Sequence, residues 1–350
     1  MKNICFSSGA NTAFNVSLTL RNIGWILNDE FELDFICTNP DKIPEDLSNY
    51  YDIYEMETHP NRKGEFQLIQ SYLKDNDPEL VINLTDPSLH SAILSSLCAS
   101  HNIKYIYRYS GDALSRYKIS NSVMHQIALF MKINMTSKIP LKLSEKQIAM
   151  GPHGKMRLIN QGCSPDNVTI LPPPIDKNRL NKNKEADIKD LPSDKQIILF
   201  VGRLSKLKGI HDLSIAIREI LSQDQTKHFV CVGENINNFA VDDKYEDNVT
   251  ITGKVPPKKV PAYYNAADLT VLPSYLESIS RVIIESLAVG TPVLARSISD
   301  VEYVTSNTFD GVNGLISGIH NMNDLPVDSV DKFTKRSLKN RYIDSFQSFI

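Results

Sequence analysis

Short, continuously apolar runs alternate with longer stretches of helical periodicity from the first residues onward. The runs over 4–7, 33–37, 80–84, 104–109 and 168–171 have the character of strands buried on both faces. Between them, 13–27, 89–99 and 114–131 carry apolar residues at helical spacing. Such alternation predicts a parallel sheet covered by helices. The pattern stops over 177–194, where five basic and four acidic residues follow Pro172-Pro173-Pro174, the signature of a linker. It restarts with strands over 196–201, 229–232, 249–252, 269–272 and 292–295 and helices over 210–221 and 282–288, and ends in an amphipathic helical stretch over 327–350. The expectation is an α/β protein with two Rossmann-like, doubly wound domains facing each other across a cleft. The first spans 1–176, the linker 177–194, the second 195–326, and a C-terminal helix 327–350.

Composition narrows the class. The 350 residues suit two domains of about 150, and hydrophobic and charged shares of 41% and 23% exclude a disordered chain. No apolar run approaches the ~18 residues that cross a bilayer, and the N-terminus enters a strand without the features of a signal peptide. The five cysteines form no C-x-x-C pair, which fits a reducing compartment. A cytoplasmic protein is expected. The net charge of −3 is uneven: residues 1–100 hold 6 Lys/Arg against 15 Asp/Glu, whereas 101–160 hold 10 against 2. The basic segment reads either as a solvated helical face or as a patch for an anionic surface, giving a peripheral contact with anionic membrane. No zinc-finger or RNP pattern accompanies it, so nucleic acid is not expected.

Several chemistries are missing. No G-x-G-x-x-G follows the first strand, which ends in Ser7-Ser8-Gly9-Ala10, and there is no Walker A, H-E-x-x-H or G-x-S-x-G sequence. The eight histidines are isolated. Asp75-Asn76-Asp77 is an Asp-x-Asp, but it precedes Pro78 in a charged turn and reads as a loop feature.

The second half is more informative. The strand over 196–201 ends in Gly202-Arg203, and Lys208-Gly209 opens the next helix. Open α/β sheets bind ligands at strand C-termini, and a helix N-terminus there is already an anion site. Arg203 and Lys208 add a planar fork and a point charge, suited to a diphosphate. The strand over 269–272 runs into Pro273-Ser274-Tyr275-Leu276-Glu277, and the following helix carries Glu285. A carboxylate on an apolar helix needs a partner: ribose hydroxyls would serve, and so would a basic neighbour, Arg203 or Arg281.

These residues resemble the retaining glycosyltransferases of family 4, which have the GT-B fold. The resemblance is carried by Val201-Gly202-Arg203, Lys208-Gly209, Ala267-Asp268, Leu272-Pro273-Ser274, Glu277, Glu285-Ser286-Leu287-Ala288-Val289-Gly290-Thr291-Pro292-Val293 and Asp310-Gly311-Val312-Asn313-Gly314-Leu315-Ile316, in order over about 115 residues. In the first half, Pro172-Pro173-Pro174-Ile175-Asp176 is similar to the family's Pro-Pro-Gly-x-Asp exit, with Pro174 in place of glycine.

The resemblance implies a hexosyltransferase-type enzyme that takes sugar from a UDP- or GDP-sugar donor with retention of configuration and passes it to a glycan, lipid-linked or other acceptor. No cofactor and no metal are expected. By similarity, Arg203 and Lys208 bind the diphosphate, Glu277 contacts the donor sugar and Glu285 holds the ribose. Gly202, Ser278, Ile279 and Ser280 offer backbone groups, Lys254 lines the base, and Gly9 approaches the phosphates, although the family often has a second glycine there. Arg108, Ser110 and Asp112 fall on the acceptor side, and Ser110 stands where many members have a histidine. The C-terminal helix crosses back to the first domain. The alternatives are a non-catalytic nucleotide-sugar binder on the same fold and an unrelated α/β enzyme such as a dehydrogenase.

Overall fold

A computed structural model describes residues 1–9, 14–37, 43–56, 61–84, 89–109, 122–181, 188 and 191–350. The chain divides into two units, Met1–Ile175 with Phe333–Ile350, and Asp176–Lys332.

The first unit alternates strands and helices: β1 (Lys2–Ser8), α1 (Phe14–Leu27), β2 (Phe31–Cys37), β3 (Asp52–Glu55), α2 (Arg62–Asn76), β4 (Leu80–Asn83), α3 (Leu89–Ser100), β5 (Lys104–Tyr109), α4 (Val123–Leu143), β6 (Lys146–Ala149), α5 (Pro152–Asn160) and β7 (Val168–Ile170). The strands form one sheet in the order β3-β2-β1-β4-β5-β6-β7 with parallel pairings throughout. Ile4 pairs with Leu33 on one side and Leu80 on the other. Its neighbours along β1 are buried on both faces, which is why the run reads as continuously apolar. The order reverses between β1 and β4, which is the switch point of this sheet.

The second unit contains α6 (Lys177–Asn181), β8 (Gln196–Val201), α7 (Ile210–Gln223), β9 (Lys227–Val232), β10 (Val249–Gly253), α8 (Val260–Ala266), β11 (Leu269–Leu272), α9 (Arg281–Val289), β12 (Val293–Arg296), β13 (Thr308–Phe309) and α10 (Gly311–His320). Its sheet, also parallel, runs β10-β9-β8-β11-β12-β13, with the reversal between β8 and β11. The core beneath α7 and α10 is built from Ile198, Phe200, Leu213, Ile217, Phe229, Val271 and Leu315.

The last helix, α11 (Lys335–Phe349), belongs to the first unit. Leu338, Tyr342, Phe346 and Phe349, at helical spacing, are buried in the core that contains α1. The Tyr342 hydroxyl donates to the Pro172 carbonyl (2.9 Å), and the Asn22 amide to the Pro174 carbonyl (2.8 Å), so the proline run is held by side chains. The backbones of Ile175 and of Phe333 and Lys335 bond in both directions at 2.8 Å.

Some elements differ from the sequence reading. Of the helix expected over 114–131, residues 114–121 lie outside the described residues; α4 follows Ser122, whose Oγ accepts from the His125 N–H, and runs beyond 131 to Leu143. Its apolar residues extend around the helix, so periodicity does not locate its C-terminal end. The helical stretch expected from 327 begins only at Lys335, because Asp328 accepts from Thr305 and Ser306 and ties this segment to the second unit. Asp75-Asn76-Asp77 ends α2, with Asp77 at a left-handed φ of 43°.

Candidate functional site

Three loops meet at the C-terminal ends of β9, β8 and β11. After β8 the chain turns at Gly202, whose N–H donates to the Val232 carbonyl (2.9 Å), and Leu204 N–H donates to the Glu234 carbonyl (2.8 Å). A Cβ on Gly233, at φ 148°, would stand 1.9 Å from the Gly202 carbonyl oxygen. Only glycine permits that approach. The loop then forms a single 3₁₀ turn, Lys206–Lys208, and Gly209 at φ 74° caps α7. A Cβ there would lie 2.0 Å from the Pro273 carbonyl oxygen, and Tyr275 N–H donates to the Leu207 carbonyl (2.9 Å). Sequence-distant loops are thus locked together through backbone contacts at the switch point of this sheet.

Onto this frame the sequence places its charges. The Lys208 ammonium donates to Oε1 of Glu277, with side-chain exposures of 25% and 11%. Arg203 is exposed on the same loop. Ser278, Ile279 and Ser280 are buried, and Ser280 is the N-cap of α9 without a side-chain cap bond, which leaves first-turn N–H groups for another acceptor. Ser278 Oγ donates to Asp300 at 3.4 Å.

Glu285, one turn into α9, accepts from Arg281 Nε (3.1 Å) and Nη2 (2.7 Å) at its Oε1. Of the alternatives open in the sequence, Arg281 is its basic neighbour. Its Oε2 has a long contact, 3.5 Å, from the Tyr264 hydroxyl. Burial first, and then the Glu285 charge, push the Tyr264 hydroxyl well up. Lys254 is exposed just beyond β10, whose Gly253 carbonyl accepts from the Gly233 N–H (3.0 Å).

A second ionic layer supports the loops and was not anticipated. Arg296, at the end of β12, pairs with Asp212 in the first turn of α7 and donates through Nε to the Pro273 carbonyl (3.2 Å). Its guanidinium lies 4.6 Å from the Tyr275 ring centroid and 5.2 Å from that of Phe309. Burial and then Asp212 raise the Tyr275 hydroxyl. Each residue alone reads as an ordinary helix-start acid or strand-end base, so no local signal joins them. Among the described residues, Ser205 Oγ, Ser274 Oγ and Arg281 Nη1 in this region are buried without a hydrogen-bond partner, and buried polar atoms of this kind call for a ligand or water.

The remaining candidates belong to the first unit. Gly9 follows β1, and a Cβ there would be 3.2 Å from the His90 ring. His90 was not singled out in the sequence. Its Nε2 lies 3.2 Å from Ser7 Oγ and its Nδ1 2.6 Å from Glu65 Oε1, in a fully buried row. Arg108, expected on the acceptor side, is buried in β5 and donates to Met150 Sδ at 3.3 Å. The strand around it is buried on both faces, with Tyr105, Ile106, Tyr107 and Tyr109 also inaccessible. Ser110 and Asp112 lie outside the described residues. Among the described residues no cluster of three His, Cys, Asp or Glu has the arrangement of a metal site.

Residues 181–344 match the family model for glycosyl transferases group 1. The D-inositol 3-phosphate glycosyltransferase of Streptosporangium roseum is 30% identical over 202 residues, covering 53% of this chain and 46% of that protein. The chain spans less than half the length of this curated relative and of the one from Acidothermus cellulolyticus, 32% identical over 176 residues, of which it covers 39%. Among solved structures, Anabaena HepE in complex with UDP and glucose superposes with a TM-score of 0.76 at 14% identity, covering 99% of this chain and 100% of that one. Residues 181–344, most of them in the second unit, therefore carry the match to a glycosyl transferases group 1 domain, and the chain as a whole has the two-unit, parallel-sheet GT-B fold.

Proposed function

We propose that the chain is a glycosyltransferase that moves a sugar from a nucleoside-diphosphate donor, a UDP-sugar before a GDP-sugar, to a glycan or lipid-linked acceptor. Retention of configuration and independence of a metal ion are part of the proposal. The reading rests on one conjunction: Lys208, Glu277 and the open first turn of α9 converge on the switch point between β8 and β11. The preference for uracil is supported by the structural neighbour that holds UDP.

Breaking an anomeric bond to diphosphate builds negative charge on the leaving group. Lys208, Arg203 and the N–H groups of α9 stabilise that charge. Glu277, oriented by Lys208, meets the hydroxyls of the donor sugar, with Ser278 to Ser280 beside it. Glu285 keeps Oε1 on Arg281 and receives a ribose hydroxyl at Oε2. The Arg296–Asp212 pair touches no donor atom in this scheme; it fixes the Pro273 carbonyl and hence the loop that carries Glu277.

The test is thermal melting of the full chain with UDP, GDP, ADP and NAD, beside a Glu285→Ala variant. A ligand at ~100 times its Kd adds about 2.7 kcal/mol of stability, which is roughly a 2–4 °C rise at this size. A rise with UDP or GDP that Glu285→Ala lacks is expected. A rise with NAD alone overturns the reading. Incubation with donor and acceptor then separates transfer from mere binding, since only transfer couples nucleotide release to a glycosylated product.

A further inference from the structure

Helix α4 is apolar on two opposite faces, and the first unit covers one of them. Ser137 and Pro140 are buried, and Ile133 and Leu141 pack against the core that contains Leu94, Tyr105 and Leu158. On the other side, Met124, Ile127, Met131 and Met135 follow at spacings of three, four and four, and form one continuous stripe. Their exposures are 79%, 49%, 54% and 72%, and Ile139 continues the stripe at 45%. A surface helix of an ordinary soluble domain carries polar residues there. An exposed apolar stripe of this length marks an interaction surface.

The charges say what kind of surface it meets. Lys132, Lys138 and Lys142 are exposed on the helix, beside and beyond the stripe. No Asp or Glu occurs between Asp112 and Glu145. A second copy of the chain seated on this face would bring six lysines together without an acid from either helix. A sheet of anionic headgroups has the complementary charge, and apolar residues flanked by lysines are the composition of a helix lying in a membrane interface. No described helix is long and apolar enough to cross a membrane, so the contact is parallel to the surface.

We propose that α4 docks the first unit on an anionic lipid surface. Met124, Ile127, Met131 and Met135 enter the boundary between headgroups and acyl chains, and Lys132, Lys138 and Lys142 meet headgroup phosphates. The inference is independent of the nucleotide-sugar reading, since it rests on α4 of the first unit and uses none of the residues argued for the donor site.

Flotation of the full chain tests it, with vesicles of phosphatidylcholine alone or with about one third phosphatidylglycerol. The wild type is expected to float with the anionic vesicles and to dissociate as salt is raised. Met131→Glu with Met135→Glu abolishes flotation. The triple variant Lys132→Ser, Lys138→Ser and Lys142→Ser loses about a hundred-fold in partitioning, at roughly five-fold per lysine. All five positions are exposed, so melting temperatures stay at the wild-type value. Failure of the wild type to float, or equal flotation of the variants, overturns the proposal. So does a dimer seen by light scattering that the two glutamates dissolve while vesicles are ignored, because the stripe then belongs to a second copy.

Discussion

The Lys208 ammonium donates to the Glu277 carboxylate across 69 positions of sequence, from the loop after β8 to the loop after β11. The pair spans the reversal in strand order, where the crevice of a doubly wound sheet lies. In the scheme proposed above, Lys208 carries charge for the diphosphate and Glu277 is oriented for the sugar. Removing one preorganised donor of this kind typically costs ~10²–10³ in rate. Lys208→Ala is therefore expected to lower kcat on that scale with its fold intact, as followed by nucleotide release. Turnover near wild type would remove Lys208 from the reaction.

Glu285 and Arg281 make a second prediction, one that separates stability from binding. Glu285→Gln keeps size and a hydrogen-bonding oxygen but loses the charge that Arg281 faces at 2.7 Å. Both side chains are largely buried, at 15% and 12% exposure, so loss of the charge leaves a cation short of its partner. The ligand-free variant should melt lower, by about 1–2 kcal/mol in denaturant. Its UDP affinity should also fall, by isothermal titration. A variant that is destabilised yet binds UDP normally would assign Glu285 to structure alone.

Arg296 tests the layer beneath the loops. It contacts Asp212, the Pro273 carbonyl and the Tyr275 ring at once. Arg296→Met is expected to cost about 3–5 kcal/mol, because Asp212 then remains buried without its cation. The double variant with Asp212→Leu should recover much of the loss. Urea unfolding of the single and double variants reads this directly, and additive losses would contradict the coupling.

The fold was legible where physics is local. Fully buried parallel strands must be apolar along their whole length, and 4–7, 80–84 and 269–272 announce themselves for that reason. The strand Asp52–Glu55 lies at the sheet edge with exposed ends, and Lys146–Ala149 begins on a lysine, so neither has an apolar run to detect. In the site, Lys208 and Glu277 were legible because each sits one short loop beyond a recognisable strand. The Arg281–Glu285 pair is visible as an i,i+4 spacing. Arg296 with Asp212, 84 positions apart, and the row Ser7, His90 and Glu65 arise only from the way helices pack against the sheet strands.

That buried row gives a prediction in pH. Glu65 accepts from Arg62 at 2.7 Å and lies 2.6 Å from His90 Nδ1. Burial works to raise its carboxyl, but the hydrogen bonds and charges of His90 and Arg62 outweigh burial and hold it below the usual carboxylate range. A folded-state value below the unfolded one means that the unfolded chain takes up the proton first as pH falls. The stabilisation is thus fully present above the ordinary Glu value of about 4.3 and is lost as pH drops through the folded value. Glu65→Gln cannot titrate there. It should be less stable than wild type at neutral pH, by about 1–3 kcal/mol, and the gap should close in acid. Because the His90 ring lies beneath Gly9, the neutral-pH difference should also appear as faster amide exchange after β1. Urea unfolding at neutral pH and at pH about 3 decides it: two curves that fall in parallel would show that Glu65 is not the group whose charge is being lost.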